Sequence, residues 1–211
     1  MPPTRAVVEA LAAVVAKLQK GGLEPLTSRE HDVAAGLLSG LRGEQIAASL
    51  QIALKTVRTH IEHVHQKLRV STNAEACVTL ILQTLLPGCR PGHRNDLRSR
   101  LHPPRAATAE HVGRGMALTS LLTPPGKKAP KRLSRTEAVC MALLLRGCGD
   151  KQIADPLGVA PGTVCALVRR ARLKLGHPTR AAAAAALALQ TALALGHPRC
   201  SSGLSPRRTR A

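Results

Sequence analysis

Residues 26–86 align without a gap on residues 133–193, a constant shift of 107 positions, and this internal repeat constrains the fold more than any other feature of the 211-residue chain. Identities fall at Leu26/Leu133, Glu30/Glu137, Gly40/Gly147, Gln45/Gln152, Ile46/Ile153, Ala47/Ala154 and Leu50/Leu157. They continue through Thr56/Thr163, Val57/Val164, Lys67/Lys174, Leu68/Leu175 and Thr72/Thr179 to the run Leu82-Gln83-Thr84/Leu189-Gln190-Thr191. Two copies so far apart do not make a solenoid. They predict two similar domains of about 60 residues, which the chain length accommodates.

Each copy reads as four helices. Thr27…Glu30 and Ser134…Glu137 are capping boxes, a hydroxyl at N-cap and a glutamate at N3. The first helix of each copy stops near Gly40 and Gly147. A short second helix follows at 44–50 and 151–157, then a tight turn and a third helix at 54–68 and 161–175. Pro161 suits the first position of its helix. A fourth helix is predicted at 73–86 and 180–195, with Thr72…Glu75 as another capping box. A further helix at 6–20 precedes the first copy.

The third helix carries the chemistry. Val57, Ile61, Val64 and Leu68 recur at helical spacing on one face, as do Val164, Val168, Ala171 and Leu175. The opposite face of the first copy holds Lys55, Arg58, Thr59, Glu62 and Gln66. An apolar-backed helix with a long polar face, after a short helix and a tight turn, is the helix-turn-helix arrangement for the DNA major groove. The net charge of +19 points to an anionic partner. Phe, Trp and Tyr are all missing, so modules that stack bases on aromatic rings are excluded.

The string L-T-S-R-E-x-x-V…E-Q-I-A-A-S-L-x-I…K-T-V-R-x-H-I…K-L-x-V resembles the LuxR-type DNA-binding domain from Leu26 to about Val78. The second copy, L-S-R-T-E…K-Q-I-A-D-P-L-G-V-A-P-G-T-V…R-R-A-R-L-K-L, resembles the same family and also region 4 of sigma factors. The resemblance implies an all-α fold of two tandem four-helix LuxR-like domains. It implies double-stranded DNA as partner, a homodimer or intrachain pseudo-dimer through the fourth helices, and no cofactor. It places Arg58, Thr59 and Glu62 against bases, with Cys165, Ala166 and Arg169 as their counterparts. Arg58 suits guanine O6/N7 and Glu62 suits cytosine N4. Lys55, Thr56, Lys67, Thr163, Arg170, Arg172 and Lys174 are expected at phosphates, which set register rather than sequence.

Three departures stand out. Ala53 replaces the family's usual serine cap ahead of the third helix, which costs about 1 kcal/mol. Pro156 removes a backbone donor and is expected to shorten the second helix of the second copy. Leu167 stands where the first copy keeps the family's His60.

Other chemistries have little support. His60, His63 and His65 lack Cys/His partners at finger spacing, so no metal is expected. Cys165 reads as a small residue at a buried edge rather than a redox sensor, for no resolving cysteine is evident. Pro125-Gly126-Lys127-Lys128 lacks phosphate-loop spacing. No catalytic constellation can be placed, so the chain is not expected to be an enzyme. The six cysteines form no C-x-x-C, and Glu9 and Lys17 spoil the N-terminal apolar stretch as a signal sequence. The Ala-rich run near 181–195 is too short and weakly apolar to span a membrane. A reducing cytoplasm, at the nucleoid, is the expected setting.

The organisation expected is therefore a helix within 1–25, the first copy at 26–86, a basic linker at 87–132, the second copy at 133–195 and a disordered basic tail at 196–211. A short helix is expected within the linker at 106–122. With 25 residues ahead of the first copy, the sensor domain that many LuxR relatives carry is not expected. The linker holds +8 of the net charge, the second copy +5, residues 194–211 +4, and the first copy only +1. Most of the charge thus suits nonspecific, salt-sensitive contact with phosphates. Regulation of transcription through sequence-specific DNA binding is the expected function. The alternatives are a sigma-like module touching promoter and RNA polymerase, and a nonspecific nucleoid-coating protein.

Overall fold

The computed structural model describes residues 4–85 and 132–196. Among them every regular element is an α-helix. α1 spans Arg5–Gln19; α2 (Ser28–Leu38), α3 (Gly43–Leu50), α4 (Leu54–Leu68) and α5 (Asn73–Leu85) form the first copy. α6 (Arg135–Leu145), α7 (Asp150–Leu157), α8 (Pro161–Leu175) and α9 (Arg180–Gly196) form the second. The third helices fall at 54–68 and 161–175, as the periodicity predicts. The linker helix expected at 106–122, the tail beyond 196, Cys89 and Cys200 lie outside the described residues.

Local chemistry sets the boundaries. Thr27 Oγ1 accepts from the Glu30 amide, and Glu30 Oε2 accepts from the Thr27 amide at 2.7 Å. Ser134 and Glu137 repeat this reciprocal cap. Both glutamates are buried, and each is met by a lysine 37 residues on: Lys67 Nζ at 2.8 Å and Lys174 Nζ at 2.7 Å. These ion pairs bolt the C-terminal end of each third helix onto the start of each first helix. Thr72 caps α5 by accepting from the Glu75 amide. The Glu75 carboxylate does not close that box on Thr72; it accepts from Ser71 and from Lys17 Nζ of α1.

Pro156 lies inside α7 without shortening it, contrary to expectation: α3 and α7 are both eight residues long. The proline sits one residue from the helix end, so its missing N–H costs one local bond. The bonds that close the helix survive, Gly158 N to Asp155 O and Val159 N to Ala154 O, matching Gln51 N to Ala48 O and Ile52 N to Ala47 O. Both helices then turn through a left-handed residue, Gly158 in one copy and Gln51 (φ 54°) in the other. A non-glycine residue held there costs about 1 kcal/mol.

The two copies share their cores. Cys77 and Ile81 of α5 pack with Val33, Leu37, Ile46 and Val57 of their own copy, but Ala74, Val78 and Leu82 pack in the core of the second copy. α9 returns the arrangement residue for residue. Ala184 and Ala188 stay at home, while Ala181, Ala185 and Leu189 enter the core of the first copy. Each exchanged residue lies 107 positions from its counterpart. The turn glycines obey the same rule. Gly40 (φ 80°) presses on α9, where a Cβ would stand 2.7 Å from Pro178 Cγ and 3.3 Å from the Ala182 methyl. Gly147 (φ 85°) presses on the start of α5, where a Cβ would stand 2.7 Å from Glu75 Cδ. Glu75 and Ala182 are themselves 107 residues apart.

α1 breaks the symmetry. It precedes the first copy in sequence yet lies mainly on the second. Its buried stripe of Val7, Ala10, Leu11, Val14 and Val15 joins the cluster of Cys140, Met141 and Leu144. Among the described residues no helix is long and apolar enough to cross a membrane.

Candidate nucleic-acid interface

α4 divides cleanly between core and solvent. Val57, Val64 and Leu68 are buried and Ile61 is half-buried; Lys55, Thr56, Arg58, Thr59, Glu62 and Gln66 are exposed. Glu62 follows Arg58 by four residues and Thr59 by three, so it neighbours both on the exposed face. No bond from another described side chain engages Arg58 or Glu62. Thr59 Oγ1 donates to the Lys55 carbonyl at 3.2 Å, which spends its proton inside the helix. It meets any ligand as an acceptor with a methyl beside it. Ala53 caps α4 with no side-chain bond, leaving first-turn amides open to an anion.

Lys67 and Lys174, expected at phosphates, are engaged within the fold. Both ammonium groups are taken by the buried carboxylates of Glu30 and Glu137. Burial opposes ionisation of these glutamates. The hydrogen bonds and charge of the lysines, together with the bonds from Thr27 and Ser134, outweigh it and hold both carboxyls below the ordinary range. The pairs are internal struts between the third and first helices of each copy. The signal was present in the sequence, because Glu30/Glu137 and Lys67/Lys174 are repeated identities, but a lysine on a basic helix reads first as a phosphate ligand.

The second copy presents a different face. Thr163, Cys165, Ala166, Arg169 and Arg170 are exposed on α8. Arg172 is half-buried, and its guanidinium donates to the Pro178 carbonyl rather than pointing outward. Cys165, counterpart of Arg58, is exposed rather than at a buried edge, because it sits on the solvent side of α8 beside Arg180 from the start of α9. That guanidinium makes a bidentate pair with Asp150 at 2.6 and 3.0 Å and reaches Cys165 Sγ at 3.2 Å. Sequence reasoning missed Arg180 because it belongs to the fourth helix and acts on the second and third. Leu173 stands 64% exposed where the first copy has Gln66.

The three histidines of α4 make contacts within the fold. His65 Nε2 donates to Asn73 Oδ1 at 2.8 Å, tying α4 to α5. His60 and His63 meet edge to face, with ring centres 6.5 Å apart. No group of His, Cys, Asp or Glu suited to a metal occurs among the described residues. Cys77, Cys140, Cys148 and Cys165 are free thiols, and burial pushes Cys77 up to about 12.

The family model for bacterial regulatory proteins of the luxR family matches the chain twice, at residues 24–80 and 131–187. Over 55 residues, 26% of this chain, it is 46% identical to the HTH-type transcriptional regulator MalT of Vibrio campbellii, covering 6% of that protein. It is 40% identical over 62 residues to the transcriptional regulatory protein UhpA of Escherichia coli, covering 29% of this chain and 32% of UhpA. It is 44% identical over 70 residues to a putative HTH-type transcriptional regulator of Aeromonas salmonicida, covering 33% of this chain and 32% of that protein. The match thus spans no more than about a third of any of these relatives. No solved structure matches the chain.

Proposed function

The chain belongs to the luxR family of bacterial regulatory proteins, and on that premise we propose that it regulates transcription by binding double-stranded DNA sequence-specifically, with α4 in the major groove. The observation that carries the reading is the free polar strip Arg58–Thr59–Glu62 on a helix whose other face is locked in the core. Arg58 offers paired donors suited to guanine, and Glu62 accepts from the cytosine amino group. Lys55, Thr56 and the open first turn of α4 lie where phosphates flank a groove-bound helix. Arg169 and Arg170 supply the exposed cations of α8.

Competition between a selected site and random duplex at about 0.15 M salt tests this. A regulator prefers its site by about a thousandfold or more, whereas a nucleoid-coating protein shows a ratio near one. Arg58→Ala is expected to cost about 1–3 kcal/mol at the selected site and to relax one base position. An unchanged preference in that variant removes Arg58 from the reading face.

A further inference from the structure

We propose that one chain is by itself a complete two-headed reader of a lopsided inverted DNA site, with α4 reading bases in one half-site and α8 gripping the backbone of the other. This rests on the DNA-binding reading above. The geometry that motivates it is the reciprocal exchange between the copies. Ala74, Val78 and Leu82 of α5 sit in the second core, and their counterparts Ala181, Ala185 and Leu189 of α9 sit in the first. Gly40 presses on Pro178 and Ala182 as Gly147 presses on Glu75. Contacts that map onto each other when the copies are interchanged are the signature of a two-fold axis.

A duplex backbone has local two-fold axes of its own, so two reading helices related this way fit inverted half-sites rather than direct repeats. α4 and α8 take no part in the main contacts between the copies, which run through α5, α9, α1 and the first helices. Both reading helices keep their outer faces. The apolar faces of α5 and α9 are consumed within the chain except at Leu195, 41% exposed near the end of α9, so no second chain is needed to cover the rest.

The two heads are unequal. On α4, Arg58 and Glu62 are exposed and carry directional donors and acceptors. At the matching places on α8, exposed Cys165 accepts a contact from Arg180, Ala166 offers only a methyl, and Arg169 alone has strong polar reach. Arg172 is spent on Pro178 and Lys174 on Glu137. Arg169 is then the one directional donor among the matching positions of that head, and with Arg170 it supplies charge suited to phosphate contact.

The test selects sites from random duplexes of about 30 base pairs, long enough for two half-sites a helical turn apart, and counts chains by native mass spectrometry. The expected free protein is a 22.2 kDa monomer, and the expected complex holds one chain per duplex. The selected motif should pair one sharply defined half-site with a poorly defined one in inverted orientation. Scrambling the sharp half should cost about a hundredfold in affinity, and scrambling the other less than about threefold. Two chains per duplex, two equally defined halves, or direct repeats would overturn the inference while leaving DNA binding intact. If no motif is enriched, sequence-specific binding itself fails; the free mass then decides self-pairing, and twice 22.2 kDa would overturn it.

Discussion

Shortening Leu189 to alanine tests whether the two copies fold as one body. Leu189 belongs to α9 of the second copy, yet it is 3% exposed among Val33, Leu37, Ile46, Val57 and Ile81 of the first. Leu189→Ala removes three carbon atoms, about 2.4 kcal/mol at about 0.8 kcal/mol each. The cavity left between two packed copies cannot collapse fully, which brings the loss to roughly 3–4 kcal/mol. For a chain of this size that is a fall in melting temperature of about 6–16 °C. The informative assay is native-state hydrogen exchange. Because the leucine supports the other copy's core, amides of α2 and α4 should lose protection along with those of α9. Leu173→Ala, at a site 64% exposed, is the control and should change stability by less than about 0.5 kcal/mol. Two separate unfolding steps, with α2 and α4 untouched by the α9 substitution, would refute the shared core.

Further outcomes follow from the struts and turns. Lys67→Ala strands the buried Glu30 carboxylate and should cost about 3 kcal/mol of stability; a drop of about one in the salt-dependence slope of DNA binding, with stability unchanged, would instead make it a phosphate contact. Glu30 and Glu137 have folded pKa values below their unfolded ones, so their contribution is complete above about pH 4.3 and is lost as pH falls through the folded values. The Glu30→Gln/Glu137→Gln variant should therefore be less stable at pH 7 and lose less on acidification between about pH 5 and 3 in urea titrations. His177 is buried, and burial pulls its pKa down. Its proton NMR titration should have a midpoint below about 6.5, and stability should fall as pH drops below that value. Gln51→Gly relieves a left-handed residue in the turn before α4, and should raise stability by about 0.5–1 kcal/mol by denaturant midpoint.

The helices were legible because their signals are local. The capping hydroxyls at Thr27 and Ser134, the stops at Gly40 and Gly147, and the apolar rows of α4 and α8 each act within one or two turns, so a linear reading finds them. The strip at Arg58, Thr59 and Glu62 was legible for the same reason: helical spacing alone separates it from Val57, Val64 and Leu68. Pro156 misled, because its cost depends on how close it lies to the helix end, and there the surrounding closing bonds are kept.

The repeat, the helix order and the polarity of each helix face were thus determined by sequence alone. Which surface each apolar face covers was decided only by tertiary structure. Ala74, Val78 and Leu82 are as apolar as Cys77 and Ile81, and periodicity reports that a face must be buried without saying against what. Because the two copies are alike, the face left over on α5 fits the other core as well as a second chain would, and the fold supplied the nearer one. The same holds for charge. Lys67, Lys174, Arg172 and Arg180 count equally in the +19, but three-dimensional proximity to Glu30, Glu137, the Pro178 carbonyl and Asp150 turns them inward. Arg58 keeps its outward place, exposed on α4 and engaged by no hydrogen bond or ion pair from another described side chain.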